Sequence, residues 1–322
     1  GGGPGMTLLP VFLQTLPFFA LIGLGYGAGR TGFFPEEATA WLTRFVFYFA
    51  LSAMLFGFAA TLPVADLVDP DFLLAYLGGT MAVYLLATAV ALLRGAGLQI
   101  AAVEAQCAVI GNTGFLGLPL FVALIGPAAA GPVVMMLTVD LVVFSSLIVV
   151  LITAAREGRL RPAILTSIAL GLLKNPMIVS ISAGLLWSLA GWPVPTPFAD
   201  FLDILGAAAT PCALFAIGAS LASKSAERLS VALWLSFAKL ALHPLAVGIM
   251  ALLVLPVEPF AAGVMIAAAA LPVAGNVFIL AQHFGVAPQR VSAAILVSTV
   301  VSVVTVTLVL AWLADGIGLL AG

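Results

Sequence analysis

Long apolar runs separated by short polar stretches dominate this sequence. A helix that spans a bilayer needs about 20 predominantly apolar residues. Ten segments meet that requirement, at residues 8–28, 41–62, 72–93, 100–125, 132–154, 176–191, 204–222, 229–255, 260–281 and 290–313. The stretch 162–173 is only 12 residues long and is closed by Lys174-Asn175-Pro176, so we expect it to lie at the membrane interface. The pattern therefore predicts an all-α integral membrane protein with ten transmembrane helices.

The composition supports this class and excludes others. Of the 322 residues, 63% are hydrophobic and 7% are charged, which is too few charges to cover a water-soluble globule. The 11 Lys and Arg residues are scattered and form no basic face for nucleic acid. Cys107 and Cys212 are too few for a disulfide framework or a cysteine-ligated metal centre, so we expect packing thiols.

The charges also predict an orientation, because cytoplasmic loops of membrane proteins are enriched in Lys and Arg. Ten of the 11 basic residues flank odd-numbered loops: Arg30, Arg44, Arg94, Arg156, Arg159, Arg161, Lys174, Lys224, Arg228 and Arg290. The even loops and the C-terminus carry acids instead: Asp66, Asp69, Asp71, Asp200, Asp203, Glu258 and Asp315. We therefore expect a multi-pass protein of the bacterial inner membrane with both termini outside.

The two halves of the chain resemble each other weakly. Leu51–Gly57 aligns with Cys212–Gly218, and Ile125-Gly126 aligns with Phe284-Gly285. Each half has five predicted spans, an odd number, so the second half enters the membrane inverted, as in many secondary transporters. We predict a first repeat at 6–155, a cytoplasmic or interfacial linker at 156–174 and a second repeat at 175–322. Residues 1–5, Gly-Gly-Gly-Pro-Gly, are interpreted as a cloning remnant before Met6.

The fourth span of each half contains helix-breaking residues near its middle. Gly111–Pro119 holds three glycines and a proline, and Leu271–Asn276 holds one of each. Unwound backbone at membrane depth lines a cavity or is buried in protein, and half-helix N-termini carry partial positive charge. We therefore predict a carboxylate site at the breaks, formed by Asn112, Thr113, Gly114, Pro119, Pro272, Gly275 and Asn276. The alternative is a pair of proline kinks whose asparagines satisfy freed backbone groups.

Three ionisable residues lie inside predicted spans: Asp140 in span 5, and Lys239 and His243 in span 8. Such residues normally face a bundle interior or water and are candidates for coupling transport to an ion. For Asp140 and Lys239 three alternatives are open. The two side chains form a neutralising ion pair, one of them exchanges a proton, or the Lys239 side chain snorkels to the cytoplasmic face. For His243 the alternatives are proton transfer and a helix contact. Glu104, near the cytoplasmic end of span 4, is expected to be solvated.

The sequence resembles the auxin efflux carrier family, which contains plant PIN-type carriers and bacterial malonate-type carriers. The resemblance is carried by Arg44-Phe45-Val46 with Phe49-Ala50, Asn112–Pro119, Asn175-Pro176 opening span 6, and Leu271-Pro272 through Asn276, Phe278, Ala281 and Gly285. It implies a fold like the bile-acid/sodium symporters, in which broken helices 4 and 9 cross at their prolines beside the substrate. It also implies elevator-type motion of spans 3–5 and 8–10 against a scaffold of spans 1, 2, 6 and 7, and a homodimer through that scaffold.

The resemblance implies an organic anion as substrate, with Asn112 at the position that contacts the carboxylate in plant members. Met177 replaces the second asparagine of the plant Asn-Pro-Asn pattern, so a bacterial-type carrier of small mono- or dicarboxylates is favoured. The alternatives are a potential-driven uniporter of auxin-like aromatic acids, and a channel or sensor of the same fold. Hydrolase, zinc-protease and Walker-type motifs are absent from the sequence, so no enzyme is expected. No cofactor is expected either, and coupling to H⁺ or Na⁺ stays open.

Overall fold

The computed structural model describes residues 5–62, 69–157, 162–223 and 229–317. Most of the predicted cloning remnant lies outside these residues, as do Arg159, Arg161, Lys224 and Arg228 of the orientation argument. Within the described ranges every extended regular element is a helix, which confirms the all-α prediction. The helices are α1 Gly5–Arg30, α2 Glu36–Thr61, α3 Pro70–Leu93, α4 Gly97–Val109, α5 Thr113–Leu124, α6 Pro127–Arg156, α7 Ala163–Lys174, α8 Pro176–Leu189, α9 Thr196–Leu221, α10 Leu229–Val254, α11 Pro259–Ala269, α12 Gly275–Phe284 and α13 Pro288–Ile317.

Seven helices in the described residues are long and apolar enough to cross a membrane, namely α1, α2, α3, α6, α9, α10 and α13. They correspond to seven of the ten predicted spans. Spans 4 and 9 are each divided into two shorter helices, α4 with α5 and α11 with α12. Span 6 corresponds to α8, which follows α7 across a bend of 73°. The membrane class is thus confirmed, and the count of ten spans stays a prediction.

Three helices begin with the same local chemistry, an Asp, Glu or Asn directly followed by proline. The side-chain oxygens of Asp69, Asn175 and Glu258 accept hydrogen bonds from main-chain N–H groups of the first turn of α3, α8 and α11, the best of them at 2.9 Å. Proline at the first helical position lacks only an N–H group that would have no partner there. These caps explain where the helices start.

Helices α1 and α9 approach each other closely through glycine, as do α2 and α8. A Cβ atom on Gly218 of α9 would lie 1.8 Å from the Ile22 carbonyl oxygen of α1, and one on Gly184 of α8 would lie 2.8 Å from the Phe56 oxygen of α2. Small residues allow transmembrane helices to approach until their backbones are in contact. Because no hydrophobic effect drives helices together inside a bilayer, this van der Waals contact is what stabilises the pair. We call α1, α2, α8 and α9 the first helix group.

The second helix group consists of α3, α4, α6, α10, α11 and α13, which pack against one another around the two broken spans. All residues of α4 from Ala101 to Val109 are buried, and so are all residues of α11 from Ala262 to Ala269. Alanine supplies eight of these 17 positions and lets neighbouring helices surround α4 and α11. The helices that lead into the two breaks are therefore enclosed by protein.

The expectation that Glu104 is solvated is wrong. Its side chain is fully buried on α4 and forms ion pairs with Arg94, which caps the C-terminus of α3, and with Arg290, in the first turn of α13. Glu104 lies in the part of α4 from Ala101 to Val109 that the other helices of the second group surround, so its side chain does not reach water. Two arginines satisfy the buried carboxylate instead and tie the ends of α3, α4 and α13 together.

Candidate transport site

The two broken spans cross each other and are joined by backbone hydrogen bonds. After α4 ends, the N–H group of Asn112 donates to the Pro272 carbonyl at 2.8 Å, and the N–H group of Ala274 donates to the Ile110 carbonyl at 3.0 Å. Gly111 and Val273 thus form an isolated antiparallel bridge. The unwound backbone of each break forms hydrogen bonds with backbone groups of the other break. Buried N–H and C=O groups that have left their helices therefore still have partners.

The crossing involves Pro272 but not Pro119. The Asn112 carbonyl accepts hydrogen bonds from Leu116 and Gly117 at 3.0 and 2.9 Å, so α5 starts directly after the bridge with a π-helical turn. Pro119 lies farther along, at the start of the regular α-helical part of α5. The implied crossing at both prolines therefore holds for one of them.

The N-termini of α5 and α12 begin at the crossing, at Thr113 and Gly275. Helix N-termini carry partial positive charge and free N–H groups, and both attract anions. Ser298 of α13 supports the second break, since its hydroxyl accepts from the Val273 N–H group at 3.1 Å. Sequence reasoning missed Ser298, although small polar residues inside a span are a known sign of interhelical hydrogen bonding.

A cavity of about 850 Å³ lies beside the crossing. Asn112, Gly275 and Asn276 line it from the crossing, and Asn175 lines it from the start of α8. It extends to the exposed Glu36 at the start of α2, so it reaches the end of the molecule where the loop between α1 and α2 lies. The side-chain oxygen of Asn276 is buried and has no hydrogen-bond partner within the structure. This oxygen can only accept a hydrogen bond, so the amide NH₂ group of Asn276 is the part of the side chain that could donate to a carboxylate.

The remaining predicted site residues lie near the crossing but do not line this cavity. The Thr113 hydroxyl is turned toward the Gly111 carbonyl at 3.4 Å, and a Cβ atom on Gly114 would lie 2.7 Å from the Met177 methyl group. Pro119 and Pro272 are buried within α5 and the second break. Pro176 opens α8, as its position after Asn175 predicted. The structure thus brings Asn112, Gly275 and Asn276 together at one cavity, and the other residues shape the backbone around it.

A polar cluster lies inside the second helix group. The Tyr76 hydroxyl donates to Oδ1 of Asp140 at 2.7 Å, whereas Oδ2 of Asp140 is buried without a partner in the structure. Lys239 is fully buried and its Nζ donates to the carbonyl of Ala269, the last residue of α11. Lys239 therefore does not snorkel, and its charge lies at the negative end of a half-helix. No ion pair within 4.0 Å joins Asp140 to Lys239 among the described residues.

His243 completes the cluster. Its Nε2 lies 3.0 Å from the Thr80 hydroxyl, while its Nδ1 is buried without a partner in the structure. Tyr76 and Thr80 were missed by sequence reasoning, although they lie four residues apart and therefore on one face of α3. That face places a hydroxyl against Asp140 and another against His243, so three helices contribute to a polar interior behind the crossing.

The family model described as "Membrane transport protein" matches residues 10–310. A protein of Rhizobium meliloti (strain 1021) named "Putative malonate transporter" is 35% identical over 298 residues, which cover 91% of this chain and 92% of the relative. Both matches indicate a transporter rather than an enzyme.

Proposed function

Since the chain belongs to the membrane transport protein family, as the resemblance to auxin efflux carriers indicated, we propose that it is a secondary carrier of small mono- or dicarboxylates. The observation that carries this proposal is the cavity beside the crossing, which Asn112 and Asn276 line together. The name of the relative from Rhizobium meliloti supports malonate as the first substrate to test.

In this proposal the carboxylate is bound by neutral groups rather than by an ion pair at the crossing. Asn112 and Asn276 offer amide groups, and the N-termini of α5 and α12 add partial positive charge. Lys239 lies close to Gly111, but its ammonium group is bonded to the Ala269 carbonyl. Hydrogen bonds and helix dipoles hold an anion without a full counter-charge, so the substrate can leave again during each cycle.

We further propose that the second helix group moves as the transport domain against the first, in an elevator-type cycle. Two observations support the division: the helices of each group pack mainly with one another, and the cavity is lined from both groups. With α5 and α12, the second halves of spans 4 and 9, added to the second group, this grouping corresponds to the predicted ten spans in two inverted repeats, 6–155 and 175–322, with the linker 156–174 between them. The first group is then the scaffold and the surface through which a homodimer forms.

The proposed orientation places both termini outside a bacterial inner membrane. The basic residues that the structure describes support this orientation. Arg30 ends α1, Arg94 caps the C-terminus of α3 and Arg290 lies in the first turn of α13, so all three are at the end of the molecule predicted to be cytoplasmic. The cavity reaches this same end. Under this orientation the structure is open to the cytoplasm.

For coupling, we propose that Asp140 exchanges a proton during transport. Its carboxyl group has one hydrogen bond from Tyr76 and one free oxygen, and it is not paired with Lys239 within 4.0 Å. A carboxyl group that is buried inside a span and incompletely satisfied is a typical proton carrier in transporters. The competing mechanism is uniport of the anion driven by membrane potential, at about 2.3 kcal/mol per charge per 100 mV.

The test of the proposed function is uptake and counterflow of labelled malonate in proteoliposomes. We expect saturable uptake and exchange, whereas a channel gives flux without counterflow. Asn112→Ala removes an amide from a desolvated site, which costs about 1 to 3 kcal/mol and weakens binding roughly 5- to 150-fold. Thr61→Ala is the control, because that exposed hydroxyl bonds only to carbonyls of its own helix. Unchanged malonate binding in Asn112→Ala would rule out the assigned site.

A further inference from the structure

Arg44 lines the cavity from α2, and its side chain is exposed. The first residue of α2, Glu36, marks the outer end of the cavity. Arg44 lies eight residues after Glu36, which corresponds to about 12 Å at the helical rise of 1.5 Å per residue. Because α2 runs inward from the loop after α1, Arg44 lies along α2 between the outer end of the cavity and the crossing.

The charge of Arg44 is not neutralised by another side chain of the described residues. Its guanidinium group stacks over the Trp41 ring, 4.8 Å from the ring centroid, which holds the group without cancelling its charge. The ion pairs among the described residues involve Arg94 and Arg290 with Glu104, and none includes Arg44. Among the described cavity-lining residues, only Arg44 and Glu36 carry a formal charge.

Arg44 is also close to the crossing along the helix. Phe47, one turn farther on, stacks on Phe115 with ring centroids 6.1 Å apart and planes at 8°. Phe115 lies in the turn that begins directly after Asn112. An anion that moves from the cytoplasmic end toward Asn112 therefore passes Arg44 one turn before it reaches this aromatic pair.

We propose that Arg44 determines specificity by favouring doubly charged over singly charged carboxylates. This inference rests on the proposed function and adds the charge class of the substrate. Coulomb attraction grows in proportion to the charge of the ligand, and at about 4 Å with the dielectric constant of bulk water it changes affinity about fivefold for each ligand charge. A dicarboxylate thus gains about 25-fold from Arg44, and a monocarboxylate about fivefold.

The experiment compares Arg44→Gln, Arg44→Lys and Arg30→Gln in proteoliposomes, with malonate and propionate as substrates. Arg30 is the matched control, because it is exposed like Arg44 and flanks the same loop but does not line the cavity. We expect Arg44→Gln to raise the KM for malonate about 25-fold and that for propionate about fivefold. Arg44→Lys should keep most of the preference, and Arg30→Gln should match the wild type. Raising the ionic strength to 1 M should reduce the wild-type preference, since the Debye length falls to about 3 Å.

Two results overturn the inference. The first is a malonate-to-propionate KM ratio in Arg44→Gln equal to that of Arg30→Gln, as expected if Arg44 only anchors α2 at the membrane interface. The second is an Arg44→Lys variant that behaves like Arg44→Gln, since charge would then not be the cause. If Arg44→Gln does not fold, the salt dependence of the wild-type ratio decides, and a ratio independent of salt refutes the role. Failure of the wild type to transport any carboxylate would instead refute the proposed function.

Discussion

Replacing Tyr76 by phenylalanine tests whether the buried carboxyl group of Asp140 depends on a single hydrogen bond. The Tyr76 hydroxyl donates to Oδ1 of Asp140 at 2.7 Å, and Oδ2 has no partner in the structure. Asp140 is 3% exposed, so water does not replace the lost donor. Tyr84 is a matched control on the same helix face, because its hydroxyl is also buried but has no partner in the structure.

The expected magnitude follows from these contacts. A hydrogen bond to a charged group contributes about 1.5 to 3 kcal/mol, and a buried acceptor left without a donor costs a similar amount. Tyr76→Phe should therefore lower the free energy of unfolding by about 2 kcal/mol. Tyr84→Phe removes a hydroxyl that makes no hydrogen bond, so we expect a change within about 0.5 kcal/mol or a small stabilisation.

The assay is thermal and denaturant unfolding of the purified protein in one detergent, with both variants also made in an Asp140→Asn background. If the effect of Tyr76→Phe arises from the carboxylate, it should shrink by at least about 1 kcal/mol when Asp140 is already neutral. Equal unfolding of Tyr76→Phe and Tyr84→Phe would refute this reasoning. So would strictly additive effects of Tyr76→Phe and Asp140→Asn.

Three further predictions concern stability and coupling. Glu104→Gln should destabilise the protein by about 2 to 3 kcal/mol. This is less than the 3 to 5 kcal/mol expected when a fully buried ion pair is broken, because the two arginines are partly exposed. Glu37→Gln, at an exposed position, is the control, and equal melting temperatures of the two variants would contradict the prediction. Gly218→Ala places a methyl group against a main-chain oxygen of α1 and should lower the yield of monodisperse protein, whereas Gly23→Ala meets nothing within 4 Å and should not. Asp140→Asn should abolish the pH-gradient dependence of malonate flux measured with voltage clamped by ionophore, and a preserved dependence would exclude Asp140 as the coupling acid.

The sequence alone determined the membrane class, most helix positions and the places where the helices are interrupted. These features depend on local chemistry. A bilayer demands long apolar runs, proline and glycine weaken a helix wherever they occur, and a cap such as Asp69 or Asn175 acts on the N–H groups of its own first turn. The same local chemistry indicated Asn112 and Asn276 as neighbours of the breaks, and the family resemblance that these residues carry is confirmed by the matches over most of the chain.

Only the tertiary structure decided which of these local features meet. It pairs Gly111 with Val273 at the crossing and leaves Pro119 outside it, because the register between two segments of distant sequence is set by the packing of the helices that carry them. It also buries Glu104 between two arginines, where position along the span suggested solvent, and it buries Lys239 against a half-helix end, which excludes the snorkelling alternative. Whether a charged residue reaches water depends on what surrounds its helix on all sides, and the residues of that helix alone do not contain this information.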